Sequence, residues 1–296
     1  MRLPAFRVPP GGPARLGRRD PAYTGRFRDG RAAEGKIRED CAELARLQDR
    51  FLAQESRALL LIFQGMDGAG KDGTIKFVMS SVDPQGCTVA AFKRPTPAQL
   101  RHDYLWRFVC KLPERGKIGI FNRSYYEEVL RTRVHPEELE AQKLPPVHGR
   151  RAGALWKCRF REINHLEEHL ADNGTIILKF FLHISKAKQR ERLLERTDLA
   201  EKKWKFSPED LKERRHWNRY MDAYEEALGA TSTRRAPWYV IPADNRWFSA
   251  LAVAEIVVSV LKDLRLKYPS PTAEERREMS RARRKLLQER KPSRRS

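Results

Sequence analysis

The glycine-rich segment QGMDGAGKDG, residues 64–73, has the clearest capacity for chemistry in this sequence. Glycines in such a loop let successive backbone N–H groups turn toward phosphate oxygens, and a lysine adds a positive charge. The positive end of a following helix would strengthen the attraction. We therefore predict a phosphate-binding loop. Its predicted phosphate-binding residues are Gly65, Gly68, Ala69, Gly70, Lys71, Gly73 and Thr74.

Two carboxylates distinguish this loop from a generic nucleotide-binding loop. Asp67 lies within it, and Asp72 stands where a serine or threonine hydroxyl would normally hold a magnesium ion. Carboxylates beside a phosphate repel it unless cations lie between them. Because carboxylate oxygens are ligands that Mg²⁺ prefers, we predict that Asp67 and Asp72 bind Mg²⁺, with Mn²⁺ as an alternative.

A second polar segment, NRSYYEE, begins at Asn122 and follows an apolar stretch. Phosphate-loop enzymes usually have an aspartate at this point, and the amide of asparagine is a weaker metal ligand. Arg123 can bind phosphate oxygens through two N–H groups, and Glu127 could bind a ribose hydroxyl, a metal or an amino group. Tyr125 and Tyr126 could flank a nucleotide base or pack in the core, and the sequence leaves both open.

A basic and aromatic segment occupies residues 190–219. In a kinase-like fold, a segment at this place closes over the phosphates as a lid and brings arginines to the transferred group. We predict that Arg192, Arg196 and Lys205 bind phosphate. The other cations of the segment are equally compatible with a solvated helix face.

The sequence shows no clear pairing of a nucleophile with a base. His165 and His169 are one helical turn apart, but no third metal ligand lies near them in the sequence. Phosphoryl transfer needs little of this machinery, because positioning and electrostatics supply most of the catalysis. The pattern mildly favours an acceptor that is already ionised, such as another phosphate.

Apolar strands and amphipathic helices alternate along the chain and must position these residues. The alternation predicts an α/β fold with a mostly parallel sheet, helices on both faces, and ligands at the carboxyl ends of the strands. The predicted strands are residues 58–63, 88–92, 117–121, 175–184 and 238–241. The predicted helices are residues 35–54, 74–81, 97–110, 154–170, 186–195, 207–228 and one ending near 267.

The formal net charge of +21 predicts a polyanionic partner. Residues 1–31 and 269–296 each contribute +6, which leaves +9 for the middle of the chain. We predict a flexible basic arm at 1–30, a phosphotransferase domain at 31–268 with a lid around 190–219, and a basic tail at 269–296. The ends could also be merely solvated, or could bind nucleic acid nonspecifically.

No apolar run approaches the length of a membrane span, and the N-terminus lacks a signal-peptide core. The four cysteines have no metal-like spacing. We expect a soluble, cytoplasmic protein without a membrane partner, zinc or disulfides. We expect Trp238 and Trp247 to be exposed aromatic residues that leave room for an interface, and we expect a homo-oligomer.

Several long motifs resemble the polyphosphate kinase 2 family over residues 35–268. They are LLLIFQGMDGAGKDGTIKFVMSSVDPQG, FKRPTPAQLRHDYLWR, LPERGKIGIFNRSYYEEVL, RVHPE, KKWKFSPEDLKER and ATSTRRAPWYVIPADNRWF. The resemblance implies a thymidylate-kinase-like P-loop kinase fold with a helical lid, and Mg²⁺-dependent phosphoryl transfer between inorganic polyphosphate and a nucleotide. It is similar to the branch that acts on purine nucleoside mono- and diphosphates. It implies catalytic roles for Asp67, Lys71, Asp72, Asn122, Arg123 and Glu127.

Two other functions share some of these features. An ATP-dependent nucleoside monophosphate kinase would have the loop and the lid, but it would normally have a hydroxyl in place of Asp72. A nucleic-acid-binding P-loop protein would fit the charge and the basic ends. The residues before 30, the Arg131-Thr132 pair and the tail after Tyr268 depart from the family pattern.

Overall fold

A central sheet of five parallel strands organises the protein, whose computed structural model describes residues 3–145 and 152–289. The spatial order is β2-β3-β1-β4-β5, so β1 lies in the middle. Phe63 of the middle strand pairs with Asn122 on one side and Phe180 on the other. The predicted parallel sheet is confirmed. The strands are β1 (Ala58–Gln64), β2 (Cys87–Ala91), β3 (Ile118–Asn122), β4 (Thr175–His183) and β5 (Trp238–Pro242).

Helices cover this sheet in two groups. The helices α1, α2 and α10 pack together, and α4, α6 and α9 form the second group. They are α1 (Gly30–Gln54), α2 (Lys71–Met79), α3 (Trp106–Val109), α4 (Glu127–Val134), α5 (Pro136–Glu140), α6 (Ala152–Asp172), α7 (Lys186–Asp198), α8 (Pro208–Arg215), α9 (Trp217–Thr231), α10 (Arg246–Asp263) and α11 (Ala273–Glu289).

The long helix predicted over residues 97–110 is wrong, since only the single turn α3 is α-helical there. The Asp103 carboxylate accepts a hydrogen bond from the Leu105 backbone N–H at 2.9 Å. Phe108 is buried against Phe92, with ring centroids 4.6 Å apart. Local side-chain capping and aromatic packing shape this segment in place of helical periodicity.

The single helix predicted over residues 207–228 is interrupted at His216. The backbone of His216 leaves the helical region, with φ −89° and ψ 15°, and separates α8 from α9. The Tyr220 hydroxyl of α9 donates a hydrogen bond to the Glu213 carboxylate of α8 at 2.5 Å. This buried contact holds the bend between the two helices.

Residues 1–30 were expected to be a flexible arm, and over the described residues this is wrong. The Val8 N–H donates to the Trp238 carbonyl at 2.9 Å, and the Val240 N–H donates to the Phe6 carbonyl at 2.8 Å. Phe6 and Val8 are buried in the core. The arm therefore runs along β5 as an added antiparallel segment, bridged at Arg7.

One arginine organises the remainder of this arm. The Arg19 guanidinium donates to the backbone carbonyls of Ala5, Phe6, Arg7 and Ala14, at 2.8 to 3.3 Å. A guanidinium has five N–H donors, so it can satisfy carbonyls that no regular secondary structure pairs. The Pro- and Gly-rich composition concealed this mode of ordering.

The chain divides into two compact units, residues 1–266 and 267–296. The second unit contains α11, whose residues are all exposed. The Thr272 hydroxyl accepts from the Glu275 N–H, and the Thr272 N–H donates to the Glu275 carboxylate. This reciprocal capping box stabilises the first turn of α11. Residues 290–296 of the predicted tail lie outside the described residues.

The described residues include no helix that is both long and apolar enough to cross a membrane. All four cysteines are free thiols. Trp238 is fully buried, and Trp247 packs against Phe27 and Phe248. These tryptophans therefore give no support to an oligomer interface, and the homo-oligomer stays a prediction.

Candidate active site

The glycine-rich loop joins the end of β1 to the start of α2, as the sequence predicts. Gly65 has φ +152°, and a Cβ at this position would lie 2.9 Å from the Leu182 carbonyl oxygen of β4. Gly70, with φ +99°, is the N-cap of α2. The helix begins at Lys71, three residues before its predicted start. Its positive end therefore lies directly at the loop, where it favours an anion.

Lys71 is the buried cation of this loop. Its Nζ donates to the Gly65 carbonyl at 2.6 Å and to the Met66 carbonyl at 3.3 Å. Burial, with a smaller contribution from the charge of Arg123, lowers the pKa of Lys71 to about 8. The ammonium is held inside the turn of the loop, where a phosphate would compensate its desolvation.

Asp67, Arg123 and Glu127 form a charged chain beside the loop. An Arg123 Nη lies 2.5 Å from the Asp67 carboxylate, and the other lies 3.1 Å from the Glu127 carboxylate. Arg123 has a left-handed backbone, with φ +63°, and its N–H donates to the Phe63 carbonyl at 3.0 Å. Burial opposes ionisation of Asp67, but the charges of Arg123 and Lys71 outweigh it and lower its pKa. Asp67 is therefore an anion.

Asp72, in the first turn of α2, contacts Asn122, at the end of β3. The Asn122 amide, at the end of β3, donates to the Asp72 carboxylate at 2.7 Å. Asp72 itself is exposed to solvent. The asparagine thus orients a carboxylate in α2, a contact that the sequence did not indicate because its partners are 50 residues apart.

Arg192 lies behind the loop and has partners that the sequence did not indicate. One Nη donates to the carbonyls of Gly68 and Ala69, and the other donates to those of Ala243 and Asp244, all at 2.7 to 3.0 Å. Its side chain is buried, and burial lowers its pKa to about 10. All four contacts go to backbone, so Arg192 holds the loop to the chain that follows β5. Arg192 also lines the cavity beside the loop, and its predicted binding of phosphate stays a prediction.

Gln189, one turn earlier in α7, adds to this clamp. Its amide nitrogen donates to the Asp67 carbonyl at 2.8 Å, and its amide oxygen accepts from Arg214 at 2.7 Å. Gln189 is fully buried. Neither contact could be predicted from the sequence, because Gln189 and Arg214 have the pattern of residues on a polar helix.

Arg196 and Lys205 belong to the segment predicted as a lid, and we call the cavity residues that this segment contributes between 195 and 213 the lid wall. Arg196 pairs with Asp210 of α8. Lys205 is exposed, with its Nζ 4.9 Å from the ring centroid of Trp204. Both line a cavity of about 860 Å³ together with the loop.

This cavity joins all six residues that the resemblance implied to be catalytic. Asp67, Lys71, Asp72, Asn122, Arg123 and Glu127 all contribute to its lining. Further charged residues line the cavity that we did not predict to be site residues. Lys93 and Arg94 are among them, although they belong to the motif FKRPTPAQLRHDYLWR. The missed residues include Lys93, Arg94, Arg131, Lys202, Asp210 and Arg246.

Tyr125 and Tyr126 pack in the core and do not flank a base. Both are fully buried, and both hydroxyls donate to the Glu167 carboxylate at 2.8 to 2.9 Å. The other oxygen of Glu167 accepts from Lys179, whose ammonium is also fully buried. This network anchors the start of α4, and so fixes the position of Glu127.

The donor set fits a magnesium ion shared with substrate. Asp67 and Asp72 line one cavity beside Lys71 and offer carboxylate oxygens. Among residues 3–145 and 152–289, no three His, Cys, Asp or Glu side chains form a ready-made metal cage, which also leaves His165 and His169 without a third ligand. Magnesium commonly binds one or two carboxylates and takes its other ligands from water and phosphate.

A parallel sheet with a glycine-rich loop between its central strand and a helix, facing a lid of cations, defines a P-loop phosphotransferase. The family pattern of Polyphosphate kinase 2 (PPK2) matches residues 28–269. The chain belongs to the polyphosphate kinase 2 family.

Similar proteins agree in sequence and in fold. The ADP-polyphosphate phosphotransferase of Rhodopseudomonas palustris is 48% identical over 252 residues, covering 85% of this chain and 86% of that protein. The AMP/ADP-polyphosphate phosphotransferase of Meiothermus ruber is 45% identical over 273 residues, covering 92% and 97%. The crystal structure of polyphosphate kinase 2 from Arthrobacter aurescens TC1 superposes with a TM-score of 0.82 at 38% identity, covering 94% and 95%.

Proposed function

We propose that the protein transfers phosphoryl groups between inorganic polyphosphate and purine nucleotides, converting AMP or ADP, or GMP or GDP, to the next higher phosphate. The observation that carries this proposal is the meeting of Asp67, Lys71 and Arg123 at one cavity of about 860 Å³. The names of the two relatives support polyphosphate and adenine nucleotides as substrates.

The loop holds the phosphate that is transferred. Backbone N–H groups, Lys71 and the start of α2 supply positive potential on one side, and Arg196 and Lys205 supply it on the other. Arg192 fixes the loop from behind through its carbonyl contacts. The phosphoryl group is thereby held between two walls of donors and is positioned for in-line transfer.

Arg123 and Asn122 act on the acceptor side. Arg123 is held between Asp67 and Glu127, so its guanidinium plane is fixed before substrate binds. A fixed fork of N–H donors suits the terminal phosphate of a nucleotide. Glu127 orients this arginine and can accept a hydrogen bond from the nucleotide. The attacking phosphate oxygen is ionised at neutral pH, so no general base is required.

Asp67 and Asp72 would hold Mg²⁺, with Mn²⁺ as an alternative. When bound, the ion neutralises charge that builds up on the phosphate oxygens. Asp67 now pairs with Arg123, and Asp72 with Asn122. An ion held by Asp67 and Asp72 would take carboxylate oxygens that now accept from Arg123 and Asn122, and Glu127 would still orient Arg123.

The cytoplasm is the proposed location, because all four cysteines are free thiols, as is usual in a reducing compartment. A homo-oligomer is also part of the proposal. The two rival functions are less well supported. An ATP-dependent kinase does not explain the loop carboxylates, and a nucleic-acid-binding protein does not explain Arg123 fixed between Asp67 and Glu127.

The test is incubation of the purified protein with AMP or ADP, Mg²⁺ and long-chain polyphosphate, followed by separation of the nucleotides. We expect ADP and ATP to form, and to require the divalent cation. ATP supplied as donor in place of polyphosphate is the control for an ordinary nucleotide kinase. Failure to form product from polyphosphate with either acceptor would refute the proposal.

A further inference from the structure

We infer that α11 is a second binding site for the polyanionic substrate, separate from the catalytic cavity. The inference rests on the proposed use of polyphosphate. The family match ends at residue 269, so α11 lies outside the conserved pattern of the family. Its residues therefore need an explanation that the catalytic site does not provide.

Three arginines of α11 share one side of the helix, while Arg283 lies with the apolar residues of the other side. Arg277, Arg281 and Arg284 follow one another at spacings of four and three, which places them on one face of a helix. Met279, Ala282 and Leu286 repeat at three and four and lie on the opposite side. The helix spans about 25 Å at the standard rise per residue. The three arginines cover about 10 Å of this length and present a short cationic row to a linear anion.

These arginines are available to a ligand. Every residue of α11 is exposed, and within the described part of the chain none of the three arginines forms an ion pair with a carboxylate. The capping box of Thr272 and Glu275 stabilises the first turn of the helix from within its own sequence. The cationic row is thus preformed.

A linear polyphosphate fits this row better than a nucleic acid does. Proteins that bind single strands usually stack bases on aromatic side chains, and the sequence from 273 to 289 contains no Phe, Trp or Tyr. Arginines on a helix without aromatic residues can bind phosphate groups but cannot stack bases. Every unit of polyphosphate is a phosphate, so arginines alone can bind it. Helix α11 is covalently joined to the catalytic unit. A polymer held by α11 would therefore have a high effective concentration at the catalytic cavity.

Chain length should therefore decide the contribution of α11. A short donor such as tripolyphosphate engages one site, whereas a long polymer can engage both. Neutralising the row should weaken binding of the long polymer only. Each lost phosphate contact should also reduce the slope of log affinity against log salt by about 0.7 to 0.9.

The experiment compares the full-length chain with the variant Arg277→Gln, Arg281→Gln, Arg284→Gln. Binding of labelled long-chain polyphosphate and of tripolyphosphate is measured at several salt concentrations, together with KM for each donor. We expect the triple variant to lose at least about tenfold in affinity for the long polymer, a salt slope lower by about 2, and unchanged KM for tripolyphosphate. The matched control, Met279→Ser with Leu286→Ser, alters the opposite face and should leave both donors unaffected.

The same binding and salt slope in the triple variant would overturn the inference. So would a loss of affinity for RNA with undiminished affinity for polyphosphate, which would assign the row to nucleic acid. A change of mass in solution caused only by the Met279 and Leu286 substitutions would assign α11 to an interface between copies. Because binding is measured without turnover, a protein that transferred no phosphate would refute the proposed function and still test α11.

Discussion

The two walls of the catalytic cavity are built in different ways. The loop wall is buried and is held by contacts to backbone, with Lys71 inside the turn and Arg192 clamping four carbonyls. The lid wall is held by side-chain ion pairs near the surface, Arg196 with Asp210 and Lys202 with Glu195. Arg94 likewise pairs with Glu209 of α8 at 3.0 Å.

This difference separates two tasks. The backbone contacts of Arg192 cannot be exchanged for phosphate without leaving loop carbonyls unpaired, so this clamp does not depend on substrate. Carboxylates of α8 can be exchanged for phosphate, because both are anions that bind the same arginines. In the lid wall, carboxylates thus occupy the arginines that would bind phosphate. Substrate must replace these ion pairs when it binds.

Asp67→Asn should have the largest effect on the loop wall. The substitution keeps the size of the side chain and removes the charge that pairs with Arg123 and would bind the metal. We expect kcat to fall by about 10²- to 10³-fold, as for loss of a preorganised electrostatic group, while the melting temperature changes little. Steady-state kinetics with polyphosphate and ADP measure kcat, and calorimetry measures the melting temperature. Near-normal turnover would remove Asp67 from the reaction.

Arg192→Met tests whether this wall depends on its clamp. The substitution keeps a long apolar stem but removes the donor to four carbonyls, of which those of Ala69 and Ala243 are in buried contacts. We expect the free energy of unfolding to fall by about 3 kcal/mol, measured in urea, because unsatisfied buried polar groups are costly. Turnover of the folded variant should fall as well, since the loop loses its shape. Full stability would show that the clamp has no structural role.

Arg196→Gln is the matched substitution on the lid wall. Arg196 is partly exposed and its partner Asp210 can return to solvent, so we expect little change in stability. The KM for polyphosphate should rise about tenfold, equivalent to about 1.4 kcal/mol of binding. If this variant were instead as destabilised as Arg192→Met, the distinction between the two walls would fail.

Acid should reduce the stability that Glu213 of α8 contributes, and we expect this effect to be the smallest of the four predicted here. Burial would raise the pKa of Glu213, but hydrogen bonds from Tyr220 and His135 and the charge of Arg131 outweigh it and lower the pKa below its usual 4.5. The stabilisation is therefore complete above pH 4.5 and is lost as the pH falls through the lower folded value. Below pH 4.5 the stability difference between wild type and Glu213→Gln should shrink as the pH falls, measured by urea unfolding. Glu209→Gln is the control, because Glu209 is more exposed.

The sequence predicted the loop wall better than the lid wall for a physical reason. A phosphate loop, its strand and its helix are contiguous, and Asn122 and Arg123 follow a neighbouring parallel strand whose end must lie at the same edge. Asp67, Lys71 and Arg123 could therefore be expected together. Their exact pairing could not, because Arg123 adopts a left-handed backbone that no local pattern required.

Elsewhere the partners of arginine caused the errors. Arg19 was expected to lie in a flexible arm, yet it donates to backbone carbonyls of that arm, and Arg192 donates to carbonyls far away in the chain, at Gly68 and Ala243. A guanidinium has the same sequence signature whichever partner it finds, so only the fold distinguishes the cases. The break at His216 likewise depends on the contact of Glu213 with Tyr220, and helical periodicity alone continues through it.

The N-terminal arm along β5 has a consequence for self-association. An uncovered edge strand is a template for pairing with another chain. The arm covers the β5 edge, and among the described residues β2 has no strand on its outer side. A molecule with one open edge can join a second copy edge to edge, but the pair then has no free edge left. Strand pairing between copies would therefore end at a dimer, whereas loss of the arm would allow it to continue into a fibre.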